Sequence, residues 1–284
     1  MNIRKITVIG AGTMGRGIAY VACTGGFETT LQDISEDMLK KSKSTMQENL
    51  RKAVERKLMS PEDAEKAIAR LTLTRELSAA VRSADFIIEA IPEIIEAKLE
   101  LFSKIDKICA DEVVLSSNTS ALSITEMAGV TTRSARFVGM HFFNPVHKMK
   151  LVEIIRGLET TDDAIEITKA VATKMGKETV TIKESPGFIT SRLNALIGNE
   201  AFYMLQEGIT SAEEIDKAIK LGLNHPMGPF EMVDMVGLDT RLSILKFLHQ
   251  TLGEKYRPCP LMEQYVKAGR LGKKVGRGVY DYEK

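Results

Sequence analysis

Cysteine is scarce and unpatterned: Cys23, Cys109 and Cys259 lie far apart, no C-x-x-C pair occurs, and pairing any two would leave one over. Metal and dithiol redox chemistry are therefore not indicated; no metal site is expected, and the thiols read as the reduced thiols of a cytoplasmic protein. A charge excess of one sign is also missing. Thirty-nine Lys and Arg stand against 38 Asp and Glu, a formal net charge of +1, which argues against a nucleic-acid partner held by a general basic surface. No apolar run approaches the roughly 20 residues of a membrane span, and the N-terminus lacks the basic, apolar and small-residue succession of a signal peptide, so no membrane partner is expected. With 44% hydrophobic and 27% charged residues over 284 positions, the composition fits one large folded domain or two unequal ones.

Short apolar runs alternate with helical periodicities through the first two thirds of the chain, the pattern of strands and helices wound around a parallel sheet. Strands are expected at 5–9, 28–32, 86–90, 113–116, 136–140, 150–154 and 179–182, with helices at 14–24, 37–57, 61–68, 97–108, 124–127 and 163–175. Beyond Glu184-Ser-Pro-Gly187 strand patterns are missing. Phe188, Ile189, Leu193, Leu196, Ile197, Ala201, Met204 and Leu205 recur at helical spacing until Gly208, and further helices are expected at 211–221, 229–236, 240–252 and 261–268. The expected architecture is a doubly wound, mostly parallel α/β dinucleotide-binding domain (1–184) followed by a smaller all-α domain (185–284). The broad apolar stripe at 188–205 suits a homodimer interface, with burial inside the chain as the alternative.

The run 6–15 reads Ile6-Thr-Val-Ile-Gly10-Ala-Gly12-Thr13-Met14-Gly15, a buried-type strand entering a glycine turn and then a helix. Gly10 permits the turn, Gly12 leaves room for a pyrophosphate, and Gly15 lets the helix pack on the strand, with phosphates at the positive helix end. Eighteen residues after Gly15, Asp33 ends the second expected strand, where a carboxylate accepts hydrogen bonds from an adenosine ribose. Its charge favours NAD over NADP without excluding the latter. Asp33 has a second reading as a helix N-cap, a job for which Ser35 is better placed.

Only four histidines occur, and His141 stands at the end of an apolar strand in Gly139-Met-His-Phe-Phe-Asn-Pro145. Twelve residues on, Glu153 interrupts Leu151-Val-Glu-Ile-Ile155, where an unpaired carboxylate would be costly. Paired, the two make a usable general base; apart, they are a structural histidine and an exposed edge-strand glutamate. Between Lys40 and Lys57 seven bases meet two acids, either a solvated helix face or a site for a phosphate-bearing ligand.

Five segments in order, Gly10-Ala-Gly-Thr-Met-Gly15, Ser117-Asn118-Thr-Ser120, Gly139–Pro145, Lys150-Leu-Val-Glu153 and Ser185-Pro-Gly-Phe188, resemble the L-3-hydroxyacyl-CoA dehydrogenase family. Asn224-His-Pro-Met-Gly-Pro229 and the Gly269–Tyr282 motif extend the resemblance over essentially the whole chain, most towards the stand-alone bacterial 3-hydroxybutyryl-CoA branch of butyrate-type metabolism. The resemblance implies an oxidoreductase that interconverts a short-chain (S)-3-hydroxyacyl-CoA and its 3-oxoacyl-CoA by hydride exchange with a nicotinamide. It implies that His141 moves the proton of the 3-hydroxyl, that Glu153 orients His141, and that Ser120 bonds the reacting oxygen. Asn118 belongs to the same coenzyme-side loop, and Glu93 and Lys98 match positions near the nicotinamide ribose. Each of these last two also reads as a first-turn helix charge on a solvated face, and Ser120 as a loop serine. Where the family carries asparagine after Ser-Pro-Gly-Phe-x-x, this chain has Ser191, a shorter hydroxyl towards the substrate carbonyl side. Lys52 and Lys57 are the candidates for the CoA phosphates, chosen from Arg51, Lys52, Arg56 and Lys57. Two rivals are a same-superfamily dehydrogenase of a free hydroxy acid or sugar acid, and a nucleotide-binding protein without catalysis.

Overall fold

The computed structural model describes residues 3–282, and the chain divides into one compact unit ending at Glu184 and a second beginning at Ser185. In the first, eight strands form one sheet in the order β3-β2-β1-β4-β5-β6-β7-β8. These are β1 (Lys5–Ile9), β2 (Glu28–Gln32), β3 (Leu71–Thr74), β4 (Phe86–Glu89), β5 (Val114–Ser117), β6 (Phe137–Phe142), β7 (Leu151–Arg156) and β8 (Glu178–Lys183). Strands β1 to β6 pair parallel, β7 runs antiparallel to β6, and β8 runs parallel to β7. Helices α1 (Thr13–Thr24), α2 (Glu36–Glu55), α3 (Pro61–Ala69), α4 (Leu77–Arg82), α5 (Ile95–Asp106), α6 (Ile124–Gly129) and α7 (Asp162–Lys174) connect them.

Burial follows position in the sheet. Strands β4, β5 and β6 are buried at every residue, because helices cover both faces of an interior parallel strand, whereas β3 and β8 at the two edges are largely half-buried or exposed. Ser35 caps α2 by accepting from Met38 N–H, and Ser60 with Pro61 starts α3. Two elements were not expected from the sequence. Strand β3 has only four residues, Leu-Thr-Leu-Thr, and α4 only six, too short for either period to register.

The second unit is helical: α8 (Thr190–Gln206), α9 (Ala212–Gly222), α10 (Pro229–Val236), α11 (Leu238–Leu252) and α12 (Pro260–Lys267) surround Phe202, Phe230, Leu245, Leu248, Tyr256 and Met262. Two buried aspartates fasten its last turn. Asp234 Oδ1 accepts Val279 N–H at 2.8 Å, while Oδ2 accepts Tyr280 N–H at 2.9 Å and the Tyr282 hydroxyl at 2.8 Å. Asp216 accepts the Phe230 and Glu231 N–H groups at 2.8 and 3.0 Å and the Tyr280 hydroxyl at 2.8 Å. The terminal Tyr-x-Tyr thus acts as a clasp, and Asp234→Ala strands two backbone donors at about 1–3 kcal/mol each. The expected outcome is a lower melting midpoint and early protease cleavage after residue 270; unchanged resistance would show that the clasp does not hold this segment. Among the described residues no helix is long and apolar enough to cross a membrane.

Candidate active site

The strand order reverses between β1 and β4, which opens a crevice at their C-terminal ends, the place where open α/β sheets bind ligands. Gly10, at φ +99°, lies so near β4 that a Cβ there would sit 2.6 Å from the Ala90 carbonyl oxygen, and a Cβ on Gly15 would sit 1.7 Å from that of Gly10. Around Gly12 the opposite holds: a Cβ would meet nothing within 4 Å. Gly12 starts α1 without a side-chain cap, so the first N–H groups of that helix face open space. A cleft of about 900 Å³ follows, lined by Gly10, Gly12, Thr13, Met14 and Asp33 among others. Asp33 Oδ2 accepts Ala11 N–H at 2.7 Å and Oδ1 accepts Ser35 N–H at 2.8 Å, so the carboxylate braces the glycine turn and leaves lone pairs for a ribose. Ser35, not Asp33, is the N-cap of α2. Uncapped donors, the space at Gly12 and a carboxylate at the end of β2 fit a dinucleotide.

His141 and Glu153 face each other directly across the antiparallel β6–β7 pair. The His141 Nδ1 to Glu153 Oε2 distance is 2.8 Å, and Glu153 is fully buried, which overturns the exposed edge-strand reading of that acid. The carboxylate holds Nδ1 as the N–H, leaving Nε2 as the nitrogen able to take or give a proton. Phe143 packs on the imidazole with ring centroids 4.5 Å apart, and Asn118 Oδ1 accepts Phe142 N–H at 2.9 Å, tying the loop after β5 to the residue beside His141.

That loop is organised by Glu93. Its Oε1 accepts the Thr119 hydroxyl at 2.6 Å, the Ser120 N–H at 2.7 Å and the Ser120 hydroxyl at 3.1 Å. Behind it Lys98 Nζ lies 2.6 Å from Glu89 Oε1 and 3.3 Å from Glu93 Oε2. Lys98 has no exposed surface, so its solvated-face reading is wrong: the fourth residue of α5 points into the sheet and anchors Glu93. Glu89, which the sequence reading passed over, also accepts the Ser117 hydroxyl and Ile91 N–H. Burial pushes its carboxyl above the usual carboxylate range against the pull of Lys98. Burial pushes Glu93 the same way, but Lys98, Thr119 and Ser120 outweigh it and hold that carboxyl below its ordinary value. The signal for Glu89 was present in Phe86-Ile-Ile-Glu89, an acid closing an apolar strand like Glu153.

Comparison with known proteins settles the lineage. Family models of the NAD binding domain and the C-terminal domain of 3-hydroxyacyl-CoA dehydrogenase match residues 5–185 and 187–282. The chain belongs to the 3-hydroxyacyl-CoA dehydrogenase family. Within it, the chain is 46% identical over 284 residues to a protein of Bacillus subtilis named probable 3-hydroxybutyryl-CoA dehydrogenase, covering 100% of this chain and 99% of that one. It is 40% identical to the mitochondrial hydroxyacyl-coenzyme A dehydrogenase of Sus scrofa, covering 99% of this chain and 92% of that one. The crystal structure of (S)-3-hydroxybutyryl-CoA dehydrogenase from Ralstonia eutropha superposes with a TM-score of 0.97 at 42% identity, covering 100% of both chains. The first unit of this family member is thus an NAD binding domain, as the glycine turn and Asp33 led us to expect.

Three candidates are not among the residues that line the cleft. Lys52 is near the end of α2, about 24 Å along the helix axis from Glu36 at its start. It is exposed and 3.2 Å from Glu48, and Arg51 pairs with both Glu48 and Glu55, so the basic run is partly neutralised. Lys57 follows at φ 58° in the turn after α2, with no ion-pair partner among the described residues. Ser191 is half-buried in the first turn of α8, in the second unit.

Proposed function

We propose that the chain interconverts 3-hydroxybutyryl-CoA and acetoacetyl-CoA, short-chain (S)-3-hydroxyacyl and 3-oxoacyl thioesters, with NAD as coenzyme. The observation that carries the reading is the buried His141–Glu153 pair near the C-terminal end of β6, the same end of the parallel strands at which the glycine cleft opens. The relatives' names support the substrate class. Bound nicotinamide supplies or takes the hydride at C3. His141 Nε2 gives the proton to the 3-oxygen on reduction and takes it back on oxidation, while Glu153 keeps the ring in the needed tautomer. Ser120, whose N–H stays on Glu93, turns its hydroxyl from Glu93 to donate to the same oxygen.

Loss of NADH absorbance with acetoacetyl-CoA tests this. Turnover of the thioester but not of free acetoacetate is expected; no turnover would end the proposal, and equal turnover of the free acid would favour the free hydroxy-acid rival. Ser191 is proposed to meet the substrate carbonyl side more weakly than asparagine would. Ser191→Asn should lower the KM for acetoacetyl-CoA several-fold, an effect of one hydrogen bond. Unchanged KM and kcat would remove position 191 from the site.

Lys52 and Lys57 are proposed as partners of the CoA phosphates; a salt dependence of acyl-CoA affinity that Lys52→Ala leaves unaltered would refute this. The second unit is proposed to carry a homodimer interface: Leu193 and Ile197 on α8 are exposed, beside a groove of about 470 Å³ lined by Leu196, Met204 and Leu223. A cytoplasmic location accords with three free, buried cysteines.

A further inference from the structure

The cleft holds a cation that the reading above leaves unused. Arg75 follows the edge strand β3 and lines the wall that also carries Asp33, Ile34 and Ser35. Three hydrogen bonds stitch this turn to the end of β2: Asp33 N–H donates to the Thr74 carbonyl at 3.3 Å, Gln32 Nε2 to the Arg75 carbonyl at 3.1 Å, and Arg75 Nε to the Ile34 carbonyl at 3.1 Å. The backbone and the root of the guanidinium are therefore both fixed. Among the described residues its two terminal nitrogens have neither a hydrogen-bond nor an ion-pair partner.

Neighbouring charges cancel it only in part: Arg75 acts through space on the Glu36 carboxylate, which has a nearer partner. Glu100 and Lys104, in the same cleft, neutralise each other at 2.5 Å, and Glu36 at the start of α2 is paired with Lys40 at 2.7 Å. Asp33 already accepts two backbone N–H bonds, which offset part of its negative charge. A carboxylate at the end of the second strand suits a ribose 2′-hydroxyl, whereas an arginine beside it accommodates a 2′-phosphate. This cleft has both groups.

We propose that Arg75 lets the cleft accept the 2′-phosphate of NADPH as well as the 2′-hydroxyl of NADH, so that coenzyme choice is set by the Asp33–Arg75 pair and not by Asp33 alone. The inference rests on the cleft being the dinucleotide site. Arg75 is exposed, so Arg75→Ala should fold normally, and Arg75→Lys keeps the charge while losing the planar fork.

Calorimetric titration of the wild type and both variants with NADH and with NADPH tests it without recourse to turnover. Wild type should bind both coenzymes. Arg75→Ala should weaken NADPH about ten-fold or more, the loss of one charge-assisted bond, and leave NADH nearly unchanged; Arg75→Lys should fall between. Adenosine 2′,5′-bisphosphate should displace NADPH from the wild type far better than from Arg75→Ala. Wild type that binds NADH but not NADPH, or an Arg75→Ala variant that weakens both coenzymes equally, would overturn the assignment of Arg75 alone. Wild type that binds neither would overturn the coenzyme cleft, and the inference with it.

Discussion

Replacing His141 with alanine should lower kcat for acetoacetyl-CoA reduction by about 10²–10⁴-fold, the range expected for loss of a positioned general acid. NADH binding should be nearly unaltered, because the glycine turn and Asp33 that line the cleft follow β1 and β2 while His141 belongs to β6. Truncation also removes one partner of the buried Glu153 carboxylate, and a destabilised protein would mimic a dead one. Two further variants separate these cases. His141→Gln keeps a polar side chain towards Glu153 without a titratable nitrogen, and should be as inactive as His141→Ala while melting closer to wild type. Glu153→Gln keeps the imidazole but removes the charge that orients it, so kcat should fall while substrate KM stays close to wild type. Full activity in His141→Gln would show that another group moves the proton.

The second large effect concerns stability. Lys98→Met should destabilise the first unit by about 3–5 kcal/mol, the cost of leaving a buried charge without its counter-ion. Both Lys98 and Glu89 are fully buried, so solvent cannot take over the role of the ammonium. The deficit should depend on pH in a definite direction. Burial already raises the Glu89 carboxyl, and without Lys98 it rises further above its unfolded value of about 4.3. Between those two values the folded state binds more protons than the unfolded state, so stability falls as pH rises. The gap between Lys98→Met and wild type should therefore be widest at neutral pH and close towards pH about 4. Thermal melts across that range check the prediction, and Glu89→Gln in the Lys98→Met background should recover most of the loss. A gap constant with pH would mean that the lost methylene packing, and not the carboxylate, dominates. Activity should fall as well, since Lys98 anchors the Glu93 that holds Ser120.

Much of the fold was legible because its signals are local. Strands β1 and β2 begin and end at the residues the apolar runs mark, and α10 likewise, since Pro229 sets its start and Gly237, at φ +105°, its stop. The glycine turn and Asp33 were legible for the same reason: steric demands at Gly10 and Gly15 leave no room for another residue type. The edge elements β3 and α4 were not, because a four-residue strand half-buried on one side carries too little periodicity. Lys98 misled for a different reason. At the start of a helix a lysine usually meets solvent, and only packing against Glu89 turns it inward.

By itself, the sequence determined the order of the elements, the turn that suits a dinucleotide and the presence of a histidine and an acid at strand ends, because each depends on residue type and short-range spacing. It could not determine that His141 meets Glu153. A separation of twelve residues allows several registers, and only the antiparallel pairing of β6 with β7 places the two opposite each other. The tertiary structure likewise decided the Glu89–Lys98–Glu93 chain and the position of Arg75 beside Asp33. Both join residues from separate strands, loops and helices, and their side chains come together only when the sheet assembles, which around Glu89 and Lys98 also excludes water.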